Sequence, residues 1–253
     1  MRPYILAETN YLAIKDQKLE LVVLPWGATE AHNFHLPYAT DNIESDLIAA
    51  ESARIAWERG ARLIVLPTIP FGVNTGQRDI YLDISINPST QLSILADIID
   101  GLNHQGIKKV LIFNSHGGND FKAIVRETGL KYPGMFICVL NWYQALDKSR
   151  YFHHEGDHAD EMETSLMLHL RPGLVLPKDQ WGEGREKKFR IKAFSEGWLW
   201  SERKWDRVTQ DTGIGNPELA TAEKGSQYFR DLTKKIADVF YELCMAEPDE
   251  MYG

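Results

Sequence analysis

Cysteine is nearly absent from this chain of 253 residues, which contains only two. Cys138 falls in an apolar, strand-like run and Cys244 in a helix-like one, so the pair offers neither a disulfide framework nor a CxxC metal motif. We therefore expect both thiols to be packing residues.

Export signals and long apolar runs are also missing. Residues 1–4 lack the basic-then-apolar layout of a signal peptide, and no apolar run approaches the ~18 residues of a membrane-spanning helix. The basic residues are dispersed in a chain of net charge -8, which gives no attraction to nucleic acid. These absences predict a cytoplasmic protein without nucleic-acid or membrane partners, which acts on a small molecule.

Apolar runs typical of buried strands alternate with amphipathic, helix-like stretches over the first two-thirds of the chain. This alternation is typical of βαβ units on a parallel sheet. We predict one domain over residues 1–253, an α/β protein built as a three-layer α/β/α sandwich with a mainly parallel central sheet. The predicted strands are Leu21–Pro25, Arg62–Pro67, Lys109–Asn114 and Met135–Leu140.

Helical periodicity fills most of the gaps between these strands and the C-terminal part of the chain. Residues 177–216 lack such a period and are rich in tryptophan (Trp181, Trp198, Trp200 and Trp205), which favours either a subunit interface or a lid. The predicted helices are Ile43–Arg59, a segment that begins at Ser89 or Thr90 and ends before Gly106, about Asp120–Lys131, and a long one from about Ala220.

The first polar cluster follows the first predicted strand. It combines Glu30, His32 and Asp41 within a short loop, and carboxylate oxygens together with imidazole nitrogens suit zinc or manganese. Taken alone, the cluster could instead be a surface loop, with Asp41 acting as the N-cap of the next helix.

The second cluster, Asn-Ser-His-Gly-Gly-Asn at residues 114–119, follows the third predicted strand. The paired glycines allow a sharp turn and a close approach to a ligand, so we expect His116 to point into the same crevice as the first loop. As an isolated turn, however, this segment would equally suit a hydrogen-bonded structural histidine.

The third cluster covers residues 153–165 and leads into a helix. His158 and Glu161 are three residues apart, so both could lie on one helical face at the helix N-terminus. The alternative is an acidic helix start that merely complements the helix dipole. Three such clusters at three strand ends favour a metal site at the carboxyl edge of the sheet.

The joint pattern of these clusters resembles the creatininase (creatinine amidohydrolase) family. The resemblance extends from the first strand to the last helix and rests on four segments, LPWGATEAHNFHLPYATD (24–41), NSHGGN (114–119), HADEMETSLMLHLRP (158–172) and LATAEKG (219–225). It implies an amidohydrolase with two divalent ions per subunit, Zn²⁺ or Mn²⁺ or both, in a homohexamer.

The resemblance also implies how the ions are held. Asp41 would bridge them, Glu30 and His116 would hold one ion, and His32 with a further carboxylate would hold the other. In creatininase that carboxylate lies two residues after the second-motif histidine, where this chain has Gly118. We therefore assign the missing ligand to Glu161, with Glu163 as the alternative.

The mechanism that the resemblance implies is hydrolysis of a C–N amide bond by a hydroxide held between the ions. His158, which matches the catalytic histidine of the family, would donate the proton to the leaving nitrogen, and Glu155 or Asp157 would orient it. The residues expected to contact the substrate are Ser115, Gly117, Gly118, Trp142 and His154.

Three departures from the family pattern make creatinine itself doubtful as substrate. His154 replaces a tryptophan that flanks the substrate in creatininase, Asn33 replaces the usual glycine, and the loop of residues 71–87 differs. Another cyclic amide, a formamide or a related small amide fits equally well. A metal-dependent lyase or isomerase using the same site is the main alternative, followed by a non-catalytic homologue that retains metal.

Overall fold

The computed structural model describes residues 2–253, in which helices surround a parallel sheet. None of the helices in this part of the chain combines the length and apolar composition needed to span a bilayer. The strands are β1 (Leu21–Trp26), β2 (Leu63–Val65), β3 (Lys109–Asn114), β4 (Phe136–Asn141), β5 (Gly156–His158) and β6 (Ile214–Gly215). The helices are α1 (Tyr11–Ile14), α2 (Thr40–Glu58), α3 (Pro88–His104), α4 (Phe121–Lys131), α5 (Glu161–Leu170), α6 (Lys192–Ser195), α7 (Trp205–Val208) and α8 (Ala222–Met245).

The central sheet has four parallel strands in the order β2-β1-β3-β4, and β5 and β6 form a separate antiparallel pair. In the register, Trp26 at the end of β1 pairs with Asn114 at the end of β3, which in turn pairs with Asn141 at the end of β4. Three strands therefore end side by side. Their following loops leave the sheet at one edge, where ligand sites of open α/β sheets lie.

Both faces of the sheet are covered, which is why its strands are mostly apolar. Leu21 and Val23 point towards α2, α5 and α8, whereas Val22 and Leu24 point towards α3 and α4. Side chains alternate between the two layers because successive residues of a strand face opposite sides. The predicted three-layer α/β/α arrangement with a mainly parallel sheet is confirmed.

The predicted strands agree with the structure to within two residues at each end, and β3 has the predicted bounds. Two predicted helix starts are wrong. Helix α3 begins at Pro88 with Asn87 as N-cap, upstream of Ser89 and Thr90, because proline is well suited to the first helical position. Helix α2 begins with Ala39 as N-cap, so Asp41 lies inside the first turn and is not the cap.

Residues 177–216 contain only short helical turns and β6, and polar contacts to the loop after β1 hold them in place. The side-chain amide of Asn33 donates to the Gly182 carbonyl and accepts from the Gly182 amide at 2.9 Å. Trp181 stacks on His35 with ring centroids 4.8 Å apart. This irregular segment is therefore packed beside the first polar cluster.

Candidate metal centre and catalytic cavity

The loop after β1 places Glu30 and His32 at the carboxyl edge of the sheet, where both are fully buried. Helix α2 starts soon afterwards and brings Asp41 back to them. Asp41 Oδ1 lies 3.1 Å from His32 Nε2. The turn after β3 adds His116, whose Nδ1 lies 2.8 Å from Glu30 Oε1 and 3.1 Å from Asp41 Oδ2.

Three overlapping groups of ligand atoms result, each with its atoms within 4.8 Å of one another. They share residues, so they form a single buried cluster of three carboxylates and three imidazoles. The groups are Glu30 with Asp41 and His116, His32 with Asp41 and Glu163, and Glu30 with His32 and His158. Glu30, His32 and Asp41 each belong to two of these groups, and Asp41 is the residue that the first two groups share.

The three histidines share one hydrogen-bonding arrangement. In each, one ring nitrogen faces a backbone carbonyl, which can only accept: His32 Nδ1 lies 3.0 Å from the Glu30 carbonyl, His116 Nε2 lies 3.1 Å from that of Val73, and His158 Nε2 lies 2.8 Å from that of Ala31. That nitrogen therefore carries the proton. The other nitrogen of each ring is turned towards the carboxylates, as in histidines that bind metals.

Two carboxylate oxygens of the cluster, Glu30 Oε1 and Asp41 Oδ2, are buried and have no donor besides His116 Nδ1. Buried oxygens of this kind are costly unless a cation or donor meets them. Because both oxygens face His116 Nδ1 and Glu30 Oε1 also faces His158 Nδ1, a divalent ion between these atoms would satisfy them together. The donor set of acidic oxygens and imidazole nitrogens fits zinc or manganese.

Proton affinities in the cluster reflect its crowded acidic groups. Burial lowers the pKa of His32, but the carboxylates of Asp41, Glu30 and Glu163 together outweigh burial and raise that pKa to about 10. Burial likewise opposes a charged His116, yet Glu30 and Asp41 raise its pKa well above the ordinary value. The cluster thus attracts positive charge, whether as protons on imidazole or as metal ions.

Glu163 is the third carboxylate of the cluster, whereas Glu161 lies outside it. Glu161 was the sequence-based choice for the second ion, but its carboxylate accepts from the amides of His153 and His154 at 2.9 Å each and from Lys224 Nζ. Although burial raises the Glu161 pKa, these donors hold it below its usual value. Glu161 is therefore engaged by a structural ion pair away from the cluster.

Glu163 faces the cluster and Glu161 does not because of the position at which α5 begins. Ala159 has a left-handed backbone (φ 48°), and Asp160 caps the helix by accepting from the amides of Met162 and Glu163. His158 therefore lies in β5 and not on α5, so the helical spacing expected of His158 and Glu161 does not apply. Two residues further along, Glu163 points back towards His32, and burial raises its pKa to about 8.

His158 lies against the metal-ligand cluster and an aromatic wall. Its ring stacks on His32 with centroids 4.1 Å apart, and the edge of Trp205 contacts it with centroids 4.7 Å apart. Burial, with His32 as a further cause, lowers the pKa of His158 to about 4. The imidazole is therefore neutral near pH 7, with Nδ1 free to accept a proton.

Two residues that the sequence did not single out hold the first loop in place. Gln77 Nε2 donates to Glu30 Oε2, which leaves Glu30 Oε1 to face the histidines. Asp83 accepts from the Ala31 amide at 2.6 Å, and burial raises its pKa to about 7. Both come from the loop of residues 71–87, which departs from the family pattern, and no sequence signal pairs them with residues 30 and 31.

A cavity of about 570 Å³ opens above the cluster, a volume typical of small-molecule sites. Of the residues expected to contact a substrate, Ser115, Gly117 and Gly118 line it. A side chain at Gly118 would collide with the Val73 carbonyl and with the His116 ring, so the close approach of the backbone requires glycine there. This also explains why no carboxylate stands at that position.

Three other predicted residues lie elsewhere. Trp142 is fully buried, and its indole donates to Ser115 Oγ at 2.8 Å, so it packs beneath the cavity floor and cannot flank a substrate. His154 is absent from the cavity lining, and its backbone amide donates to Glu161. Glu155 lines a separate surface cleft, and the Ala31 carbonyl orients His158 in its place.

The segment of residues 200–205 forms one wall of the cavity, as a lid would, and contributes Trp200, Arg203 and Trp205. Arg203 donates to Asp157 at 3.0 Å and lies over the Trp205 ring. Backbone packing at the base of this wall is tight, because a side chain at Gly76 would collide with the Arg203 carbonyl.

Comparison with known proteins agrees with this geometry. The family model described as Creatininase, creatinine amidohydrolase, matches residues 7–240. The crystal structure of a Bacteroides fragilis protein assigned as a creatinine amidohydrolase superposes with a TM-score of 0.93 at 40% identity, covering 100% of both chains. A creatininase variant in a Zn-Zn form has a TM-score of 0.73 at 23% identity, with 96% of this chain and 99% of that one covered.

A curated relative is also similar over most of its length. The mycofactocin precursor peptide peptidase of Mycobacterium tuberculosis (strain CDC 1551 / Oshkosh) is 28% identical over 250 residues, which cover 91% of this chain and 88% of that protein. Because the family model matches most of the chain and the Bacteroides fragilis structure has the same fold over its whole length, this protein belongs to the creatininase family of hydrolases.

Proposed function

We propose that this protein is a dinuclear, metal-dependent amidohydrolase that cleaves a C–N bond of a small amide. The observation that carries the proposal is the orientation of His32, His116 and His158, each with one nitrogen fixed by a backbone carbonyl and the other turned to the carboxylates. Glu30, Asp41 and His116 would hold one ion, and His32, Asp41 and Glu163 the other.

Two divalent ions would supply Lewis acidity and lower the pKa of water. The protein's own side chains would orient the ligands, shield the site and transfer the proton. Gln77 keeps Glu30 oriented, and the aromatic wall at Trp205 excludes water from His158. The neutral His158 would accept at Nδ1 the proton that the attacking water loses and deliver it to the leaving nitrogen, since a deprotonated amine is a poor leaving group.

Isotope labelling tests this function against a lyase or isomerase. Zinc- or manganese-loaded protein is supplied with a panel of cyclic amides, formamides and short peptides in H₂¹⁸O. Hydrolysis puts about one ¹⁸O into each carboxylate product, because solvent supplies the attacking oxygen. Turnover without label would favour a lyase or isomerase, and the absence of turnover across the panel would favour a non-catalytic homologue.

Metal loading should release protons, and this tests the ligand set directly. The pKa values of His32, at about 10, and of Glu163, at about 8, lie above neutral pH without metal, so both groups carry protons at pH 7. Metal binding removes these protons, so zinc affinity should rise as the pH rises from 6 to 8. Calorimetry at pH 7 in buffers of different ionisation enthalpy should show release of about two or more protons per chain. Release of none would contradict these ligands.

A further inference from the structure

Lys148 is a basic residue of the cavity that the proposed chemistry does not use. It begins a 3-10 turn after β4, its side chain is 31% exposed, and it lines the same cavity as His158 and Glu163. Within residues 2–253 its ammonium group has no hydrogen-bond acceptor. The nearest carboxylate, Asp160, lies at 3.8 Å, beyond hydrogen-bonding distance.

A purely structural ion pair with Asp160 does not account for this position. Asp160 Oδ1 is already used to cap α5, which fixes the carboxylate. A lysine serving only as its counterion would be expected to donate at about 2.7–3.2 Å. The three donors of Lys148 instead remain free to meet a group that enters the cavity.

Arg203, the other cationic side chain of the cavity lining, is already paired. It donates to Asp157 at 3.0 Å. Its neighbour Lys204, outside the lining, donates to Glu202 at 2.8 Å. Asp120 also lines the cavity, but its side chain caps α4. Among the cavity-lining residues that the structure describes, Lys148 is thus the cation that lacks a hydrogen-bonded partner.

Metal loading would leave no carboxylate of the metal cluster to balance Lys148. Glu30, Asp41 and Glu163, together with the hydroxide that the proposed reaction needs, would supply four negative charges against the four positive charges of two divalent ions. The ammonium group of Lys148 would then attract an anion that also contacts the amide site.

We propose that the substrate carries a carboxylate close to the scissile amide and that Lys148 binds this carboxylate. The inference rests on the proposed function of the same site, and it narrows the substrate class to acidic amides. Tyr143 and Gln144 line the cavity from the same loop as Lys148, so this loop forms the wall against which the acidic end would lie.

Hydroxamate probes test the assignment without relying on turnover. Hydroxamates chelate metal ions, so matched pairs with a carboxylate or a carboxamide tail differ only at the end that Lys148 would meet. Malonyl, succinyl and glutaryl monohydroxamates and their carboxamide counterparts are titrated calorimetrically into zinc-loaded protein. For the tail of the right length, wild type should bind the carboxylate form about 10-fold or more tightly, since hydrogen bonds to charged groups are strong.

Three variants complete the experiment. Lys148→Met should abolish the preference while leaving the affinity for the carboxamide probes within about 2-fold, and Lys148→Arg should restore part of it. Lys234→Met, at an exposed lysine of α8, should behave as wild type. Equal affinity for both tails in wild type, or an unchanged preference in Lys148→Met, would overturn the assignment. If neither probe type binds the loaded wild type, the proposed metal centre fails, and the Lys148 assignment fails with it.

Discussion

Replacing Glu163 with glutamine should remove about one metal ion per chain and lower activity by more than about 100-fold, a larger effect than the loss of an outer-shell partner. The carboxylate of Glu163 lies within a ligand group with His32 and Asp41, and an amide is a poor ligand in its place. Elemental analysis of purified, zinc-loaded protein measures the ion count. The Glu30, Asp41 and His116 group should keep its ion.

Glu161→Gln is the matched control, because it makes the same chemical change two residues away. Glu161 is ion-paired with the half-buried Lys224 and accepts hydrogen bonds from two backbone amides, so its neutral replacement should leave this lysine without its counterion. We expect this variant to keep both ions but to melt at a lower temperature, because it loses an ion pair whose carboxylate is buried. If Glu161→Gln loses the ion and Glu163→Gln does not, the structural assignment is reversed.

The layered fold could be predicted because its physical cause is visible in the sequence. A sheet covered on both faces needs strands with an almost continuous apolar run, and the run Val110–Phe113 makes the predicted bounds of Lys109–Asn114 match β3. The convergence of Glu30, Asp41 and His116 followed from the same rule, since loops that leave adjacent parallel strands meet at one edge. Short-range pattern and sheet geometry were sufficient for these features.

The choice between Glu161 and Glu163 depended on where a helix begins, which is much harder to predict. Helical spacing from His158 favours Glu161. The left-handed backbone of Ala159, however, separates His158 from α5, so the helix begins only at Glu161 and the spacing does not apply. One signal was present: an Asp at residue 160 with a Glu three residues later is typical of a helix N-terminus. That pattern places the start of α5 at Glu161 and turns Glu163 towards the cluster.

The contacts of Gln77, Lys148 and Trp205 could not be predicted from the sequence, although Trp205 lies in the segment predicted to be an interface or a lid. Gln77 reaches Glu30 across 47 positions, and Trp205 reaches His158 from a segment without periodicity. Nothing in the sequence distinguishes Lys148 from an ordinary surface lysine, and only the structure shows that it lines the cavity. For Trp142 the sequence-based prediction is wrong in the other direction: the residue is expected to contact the substrate, but it is buried beneath the site.

His158→Gln should lower kcat by roughly 10²–10⁴-fold, the usual contribution of a positioned proton-transfer group, while both metal ions remain bound. Glutamine keeps a donor that can reach the Ala31 carbonyl but offers no ring nitrogen to move a proton. Steady-state kinetics and elemental analysis of the same sample separate the two properties. The matched control is His153→Gln, because that imidazole is 70% exposed and the residue is absent from the cavity lining.

The ion count decides between two roles for His158, since its Nδ1 is within reach of Glu30 and His32 in one of the ligand groups. A proton-transfer residue can be removed without loss of metal, whereas a ligand cannot, so a variant that keeps two ions and loses kcat supports proton transfer. Loss of an ion would make His158 a ligand and leave the proton donor unassigned. Full activity in His158→Gln would contradict both roles and would point to a reaction whose leaving group needs no proton.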